Sequence, residues 1–167
     1  MRDKTMKLIQ KSVLALALGL ICLTSPAMAI SEKYRSLSEN LLTQAAAAFA
    51  AAQSQQAEDL VNLALTANPA NAAAFILKGQ IHAANGDTDE ALRIITVGLE
   101  IEPANLPALA LQTELAVKAQ RFEQADQALA HYRKICAADC ERADALRRLI
   151  DDSRAADTKL DVKSQKE

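Results

Sequence analysis

Along most of the chain apolar residues recur three and four places apart, the spacing that lines one face of a helix. Leu92, Ile95 and Leu99 form the plainest such set. Ahead of them, Asn85-Gly86 supplies the left-handed residue that ends a helix. Asp87, followed three places later by Glu90, reads as a capping box for the next one. Pro69 and Pro103 disfavour helix at the residue before them, so a helix is expected to stop at each. The alanine runs at 45–48 and 50–52 favour helix and let neighbouring helices approach closely. Near the carboxyl end Ala143, Leu146, Leu149 and Ile150 share one face. Arg142, Arg147, Arg148, Asp151 and Asp152 take the other, which predicts a capping helix over 139–155. From Asp157 the chain is polar and charged, and a disordered tail is expected over 157–167. No segment alternates strictly as a half-buried strand does.

The pattern repeats. Shifted by 34 residues, Asn68-Pro69-Ala70-Asn71 lies over Glu102-Pro103-Ala104-Asn105, and Ala57, Ala91 and Ala125 fall in register. A period of this length marks stacked helical hairpins, none of which can bury its apolar face alone. Three units follow, at 38–71, 72–105 and 106–139.

The middle unit carries a resemblance to the tetratricopeptide repeat family. Phe75, Lys78, Gly79 and His82 stand where that pattern has an aromatic, a leucine, a glycine and a tyrosine. Ala91, Ile95, Gly98 and Pro103 stand at its small, large, small and proline places. The first unit offers Leu41, Gln44, Ala45 and Ala48, then Ala57, Val61, Ala64 and Pro69. The third offers Leu109, Gln112, Thr113 and Ala116, then Ala125, Leu129 and Tyr132, with Ala137 in place of the last proline. The resemblance implies an all-α fold: a right-handed solenoid of antiparallel helix pairs, about three repeats and a capping helix, spanning 30–156. It also implies a concave groove lined by the first helix of each repeat, where partners lie. Carried over, the groove positions are Leu42 and Phe49; Ile76, Leu77, Gln80 and Ala83; and Leu111, Glu114 and Val117. They are mostly apolar and lack the lysine, asparagine and arginine set that clamps a peptide's terminal carboxylate in some relatives. An amphipathic helix or peptide suits such a groove. The same residues could instead cover one another, or be covered by residues 31–37.

The amino terminus changes the expected location. Arg2, Lys4, Lys7 and Lys11 precede an apolar run from Val13 to Leu23, then Pro26 and Ala27-Met28-Ala29. Basic start, short apolar core and small-residue end make a signal peptide, with cleavage expected after Ala29. The run is shorter than the ~20 residues that span a bilayer. Cys22 follows Ile21, a poor match to a lipidation site, and falls in the removed segment. The destination expected is the periplasm, with release to the medium as the alternative. Without residues 1–29 the chain keeps 15 basic and 20 acidic side chains, a net charge of −5. That charge gains nothing from counterion release on nucleic acid, and few aromatics are present for base stacking.

Little else suggests chemistry. His82 and His131 sit in no cluster with metal spacing, since zinc needs about four ligands. There is no glycine-rich phosphate loop and no serine in a nucleophile setting, so neither cofactor nor catalytic residue is expected. Cys136 and Cys140 are an even pair in an exported chain and read as a disulfide. Three residues separate them, not the two of a reactive dithiol. A staple between the third repeat and the capping helix is therefore favoured over a redox pair. A bridge there requires a break in the helix at Ala137-Ala138-Asp139. Three functions remain: an envelope adaptor holding a peptide or helix in its groove, a self-associating subunit, and, below both, a thiol–disulfide protein.

Overall fold

A computed structural model describes residues 26–136 and 140–164, in seven helices. They are α1 (Pro26–Ala50), α2 (Ser54–Ala67), α3 (Ala72–Ala84), α4 (Thr88–Ile101), α5 (Leu106–Lys118), α6 (Phe122–Ile135) and α7 (Glu141–Ser164). Consecutive helices pack as the antiparallel pairs α1·α2, α3·α4 and α5·α6, each pair stacks on the next, and α7 closes the row against α5 and α6.

The 34-residue period is written into the backbone. In each pair the first helix ends in the same Schellman turn, with the N–H of Gln53, Asp87 and Arg121 donating to the carbonyls of Ala48, His82 and Ala116 at 2.9, 2.9 and 2.8 Å. The left-handed residue of each turn is Ala52, Gly86 or Gln120. The second helix then starts at the same phase, where Ala57, Ala91 and Ala125 donate to Gln53, Asp87 and Arg121. All three alanines are fully buried, which lets the paired helices touch. Between repeats, Asn71 and Asn105 cap α3 and α5, their side chains accepting from Ala74 and Ala108 N–H at 3.1 and 3.0 Å.

The capping box expected at Asp87 and Glu90 does not form. Asp87 makes no side-chain cap; its Oδ2 lies 3.6 Å from His82 Nδ1. Glu90 is taken instead by Arg93, whose Nε and Nη2 donate to it at 2.8 and 2.6 Å.

Two apolar clusters fill the stack. One joins Ala45, Ala48, Ala57, Val61 and Ala64 to Ala74, Leu77 and Ile81 of α3. The other runs from Ile76 through Leu92, Ile95, Leu109, Leu115 and Leu129 to Ala143, Leu146 and Ile150 of α7. Helix α3 therefore serves both, with Leu77 on one side and Ile76 on the other. The stack begins on a polar face: Asn40 and Gln44 of α1 bond each other at 2.7 Å and remain exposed. One period on, Ala74 and Lys78 meet α2, the first in the core and the second through a 2.8 Å bond to Asn62.

The ends differ from the sequence reading. Residues 1–25 of the expected export segment lie outside the described residues, and Pro26–Ala29 form the first turn of α1. Residues 31–37 continue α1 as exposed helix and cover no groove. The tail expected from Asp157 is helical through Ser164. Two contacts prolong it: Gln120 donates to Asp157, and Thr158 Oγ1 donates to the Arg154 carbonyl at 2.9 Å.

Candidate functional site

Where α3, α5, α6 and α7 converge they leave a cleft of about 610 Å³. Its floor is Leu106, Pro107, Ala110, Leu111 and Tyr132, and its rim is Gln80, Glu114 and Arg142. Helix α5 supplies most of the floor because Asn105 and Pro107 fix its start. Asn105 caps it, and proline fits the first turn, whose N–H has no helical partner. Arg142, in the first turn of α7, donates to Glu114 across the cleft. Both rim charges are more than a third exposed or close to it, so the pair stays in contact with solvent.

The nine carried-over groove positions divide by burial. Gln80, Leu111 and Glu114 line the cleft. Ile76, Leu77 and Val117 do not line it and belong to the core, while Ala110 and Tyr132, buried to the same degree, present only their edges to the cleft. The helices rotate Ile76, Leu77 and Val117 between repeats, where stacking buries them. Leu42, Phe49 and Ala83 are half-buried against the same clusters. The sequence reading missed Leu106, Pro107, Ala110, Tyr132 and Arg142. Ala110 was within reach, lying one period after Ile76. Tyr132 and Arg142 were not, because they come from the second helix of a repeat and from the capping helix.

A second depression, lined by Gly86, Asp87, Thr88, Asp89, Glu90, Lys118, Ala119 and Gln120, lies along the turns. Its walls are more polar than apolar and largely exposed, so it offers a partner less apolar surface to cover than the cleft does.

His82 occupies the tyrosine place of the repeat. Its ring nitrogens are buried without a hydrogen bond, 3.6 Å from Glu58 Oε1 and from Asp87 Oδ2. His131 is exposed on α6. Among the described residues no group of three histidine, cysteine or acidic side chains converges on a point. None of the described helices is long and apolar enough to cross a membrane.

At the end of the cleft, α6 stops at Ile135 and α7 starts at Glu141, so the helix breaks between the cysteines. The Cys136 and Cys140 sulfurs stand at bonding distance, with Cα atoms 5.7 Å apart. Both residues are half-buried against the second cluster. Residues 137–139 lie outside the described residues.

Neither a protein-family model nor a curated protein matches the sequence. Solved structures match the fold. The TPR domain of Arabidopsis OM64 superposes with a TM-score of 0.65 at 17% identity, over 71% of this chain and 98% of that one. The TPR2B domain of yeast Sti1, in a pHsp70 complex, gives 0.65 at 14% over 72% and 98%. The Yersinia enterocolitica type III secretion chaperone SycD, in complex with a peptide of the translocator YopD, gives 0.63 at 13% over 71% and 93%. The chain thus has the tetratricopeptide-repeat fold, an all-helical stack of paired helices.

Proposed function

We propose that the chain is a non-catalytic protein-binding module of the bacterial cell envelope, exported by its first 29 residues. In this reading it holds an apolar peptide segment or amphipathic helix in the cleft between α3, α5 and α7. The observation that carries it is the composition of that cleft. An apolar floor of Leu106, Pro107, Ala110, Leu111 and Tyr132 lies beside a rim of Gln80, Glu114 and Arg142. Burying an apolar side chain on such a floor gains roughly 25 cal/mol per Å², while the rim supplies hydrogen-bond partners that fix register. The structures of SycD with a YopD peptide and of Sti1 with pHsp70, on the same fold, support it.

The test is capture from an envelope extract by the oxidised chain beside a Leu111→Glu variant. Leu111 is half-buried at the edge of the larger cluster, so the charge spoils the floor at a position that keeps some access to water. Circular dichroism first establishes that the variant folds. A partner retained by the parent and lost by the folded variant supports the cleft; identical capture by both removes it. Export has its own readout, since the chain recovered from the periplasm is expected to begin at Ile30.

A self-associating subunit is the second reading, favoured by Tyr34, Leu37 and Leu63, each about half exposed on α1 and α2. It predicts a mass that rises with concentration and falls in Leu37→Glu.

A further inference from the structure

Two of the cleft's lining side chains, Tyr132 of the floor and Arg142 of the rim, come from the end of α6 and the first turn of α7 and form its wall on that side. The cysteine pair ties together the two segments that carry them. Tyr132 stands one helical turn before Cys136, and its carbonyl accepts from Cys136 N–H at 3.0 Å. Arg142 stands two places after Cys140, whose carbonyl accepts the opening hydrogen bond of α7 from Asp144 N–H at 3.2 Å. A bond between the sulfurs therefore fixes the residue from which α7 starts, and with it the reach of Arg142 to Glu114.

The rest of α7 is held by other contacts. Ala143, Leu146 and Ile150 are buried in the core. Arg147 and Arg154 both donate to Asp126, at 2.8 and 2.6 Å, and Arg154 lies 5.5 Å over the Phe122 ring. Across the junction itself Arg133 also donates to Asp144, at 3.0 Å, but that pair is exposed and contributes little, so the bridge is the firmer tie there. Breaking the sulfur bond would leave the buried contacts and the Asp126 pairs in place. The change would be confined to the last turn of α6 and the first of α7, which form the cleft's wall on that side.

We infer that Cys136 and Cys140 form a redox latch on the cleft: oxidised, the pair sets the wall and the cleft binds; reduced, the wall loosens and binding weakens. The inference rests on the cleft being the binding surface. The two cysteines are half-buried, so a small thiol reaches them. The reductant is a dithiol. One of its thiolates attacks a bridge sulfur and forms a mixed disulfide, and its second thiolate then displaces the protein sulfur. Two electrons and two protons pass to the bridge, which leaves as two thiols, and the dithiol becomes a disulfide. Because coupling between linked sites is reciprocal, an occupied cleft makes the bridge harder to reduce by the factor that reduction costs in affinity.

The experiment titrates the full oxidised chain with anilinonaphthalene sulfonate, an apolar fluorescent anion. The same titration is run on the chain reduced with dithiothreitol, on Cys136→Ser and on Leu111→Glu, with far-ultraviolet circular dichroism on each. Expected is binding by the oxidised chain that Leu111→Glu abolishes. The reduced chain and Cys136→Ser are expected to bind roughly five- to tenfold more weakly at unchanged helicity. Equal affinity before and after reduction, still sensitive to Leu111→Glu, overturns the latch and leaves the cleft standing. No binding, or binding that ignores Leu111→Glu, removes the cleft reading and the latch with it. Helicity lost on reduction also overturns the latch, since the bridge would then be a staple of the whole fold.

Discussion

Ala52 and Gln120 sit at φ 59° and 57°, the left-handed region that costs an L-residue roughly 1–2 kcal/mol. They are the counterparts, one period either side, of Gly86 at φ 92°. The turn needs that conformation in every repeat, because it lets the two Schellman bonds close. Only the middle repeat has the residue that adopts it freely. Ala52→Gly and Gln120→Gly are each expected to stabilise the chain by about 0.5–1 kcal/mol, after the greater unfolded-state freedom of glycine is set against the relieved strain. A rise in the urea midpoint checks this. Gly79 shows the opposite case. It lies inside α3, where alanine would ordinarily be preferred by about 1 kcal/mol. A Cβ there would stand 2.4 Å from Ile95 Cγ1 and 3.3 Å from the Ala91 carbonyl. Ile95 is fully buried and cannot step aside. Gly79→Ala is therefore expected to cost about 1–2 kcal/mol net, overpacking outweighing propensity.

Among the helices, the two asparagine caps look alike in sequence and differ in what they hold. Asn105 caps α5, and its amide donates at 3.0 Å to Glu102 at the surface. Asn71 caps α3, and its amide donates at 2.9 Å to Ser38 Oγ, which itself donates at 2.8 Å to the Ala64 carbonyl. Ser38 is fully buried, so removing Asn71 takes a donor from a buried hydroxyl, which keeps only its bond to Ala64, as well as the cap from a helix end. Asn105→Ala is expected to cost about 1 kcal/mol and Asn71→Ala about 2 kcal/mol, an order read directly from denaturant melts. Asp126 of α6 holds the capping helix by accepting from Arg147 and Arg154. Its hydrogen bond from Arg154 holds the carboxyl below its ordinary 3.8, against a partial burial that pushes the other way. A lowered folded value contributes stability above the unfolded value and loses it as pH falls. Asp126→Asn should thus cost about 1 kcal/mol at neutral pH, and the gap to the parent should close as pH drops below 3.8. The helices themselves were legible because Pro69, Pro103 and Asn85-Gly86 punctuate a regular apolar spacing. The capping box was not, because Asp87 and Glu90 had other partners in space: His82 from α3, and Arg93 one turn on. The last turns of α7 escaped for a similar reason. Nothing local reveals that Gln120 reaches Asp157 from 37 residues away.

Across the whole molecule, the division of the core predicts how it comes apart. Stacked repeats are stabilised by each unit and its immediate neighbours. Here the neighbours form two clusters that share only α3. The repeats and their order are legible in the 34-residue period, but which face of α3 serves which cluster is not. That depends on the rotation of stacked helices, and it is why Ile76 and Leu77 read as groove and are core. Leu146 joins α7 to the larger cluster and is 2% exposed. Leu146→Asp buries an unpaired charge between α7 and the third repeat, a cost of several kcal/mol. Its effect should travel through Leu129, Leu115 and Leu109, and reach α3 at Ile76, Ala83 and the Gly79–Ile95 contact. Amide hydrogen exchange on the variant is expected to show protection lost over α5, α6 and α7 and kept over α1 and α2. The bond from Ser38 to Ala64 and the cluster around Val61 hold that pair without help from the far end. Uniform loss over all seven helices would mean that the two clusters melt as one cooperative unit. In that case a disturbance at the cysteine pair would be felt throughout the stack, rather than at the wall of the cleft alone.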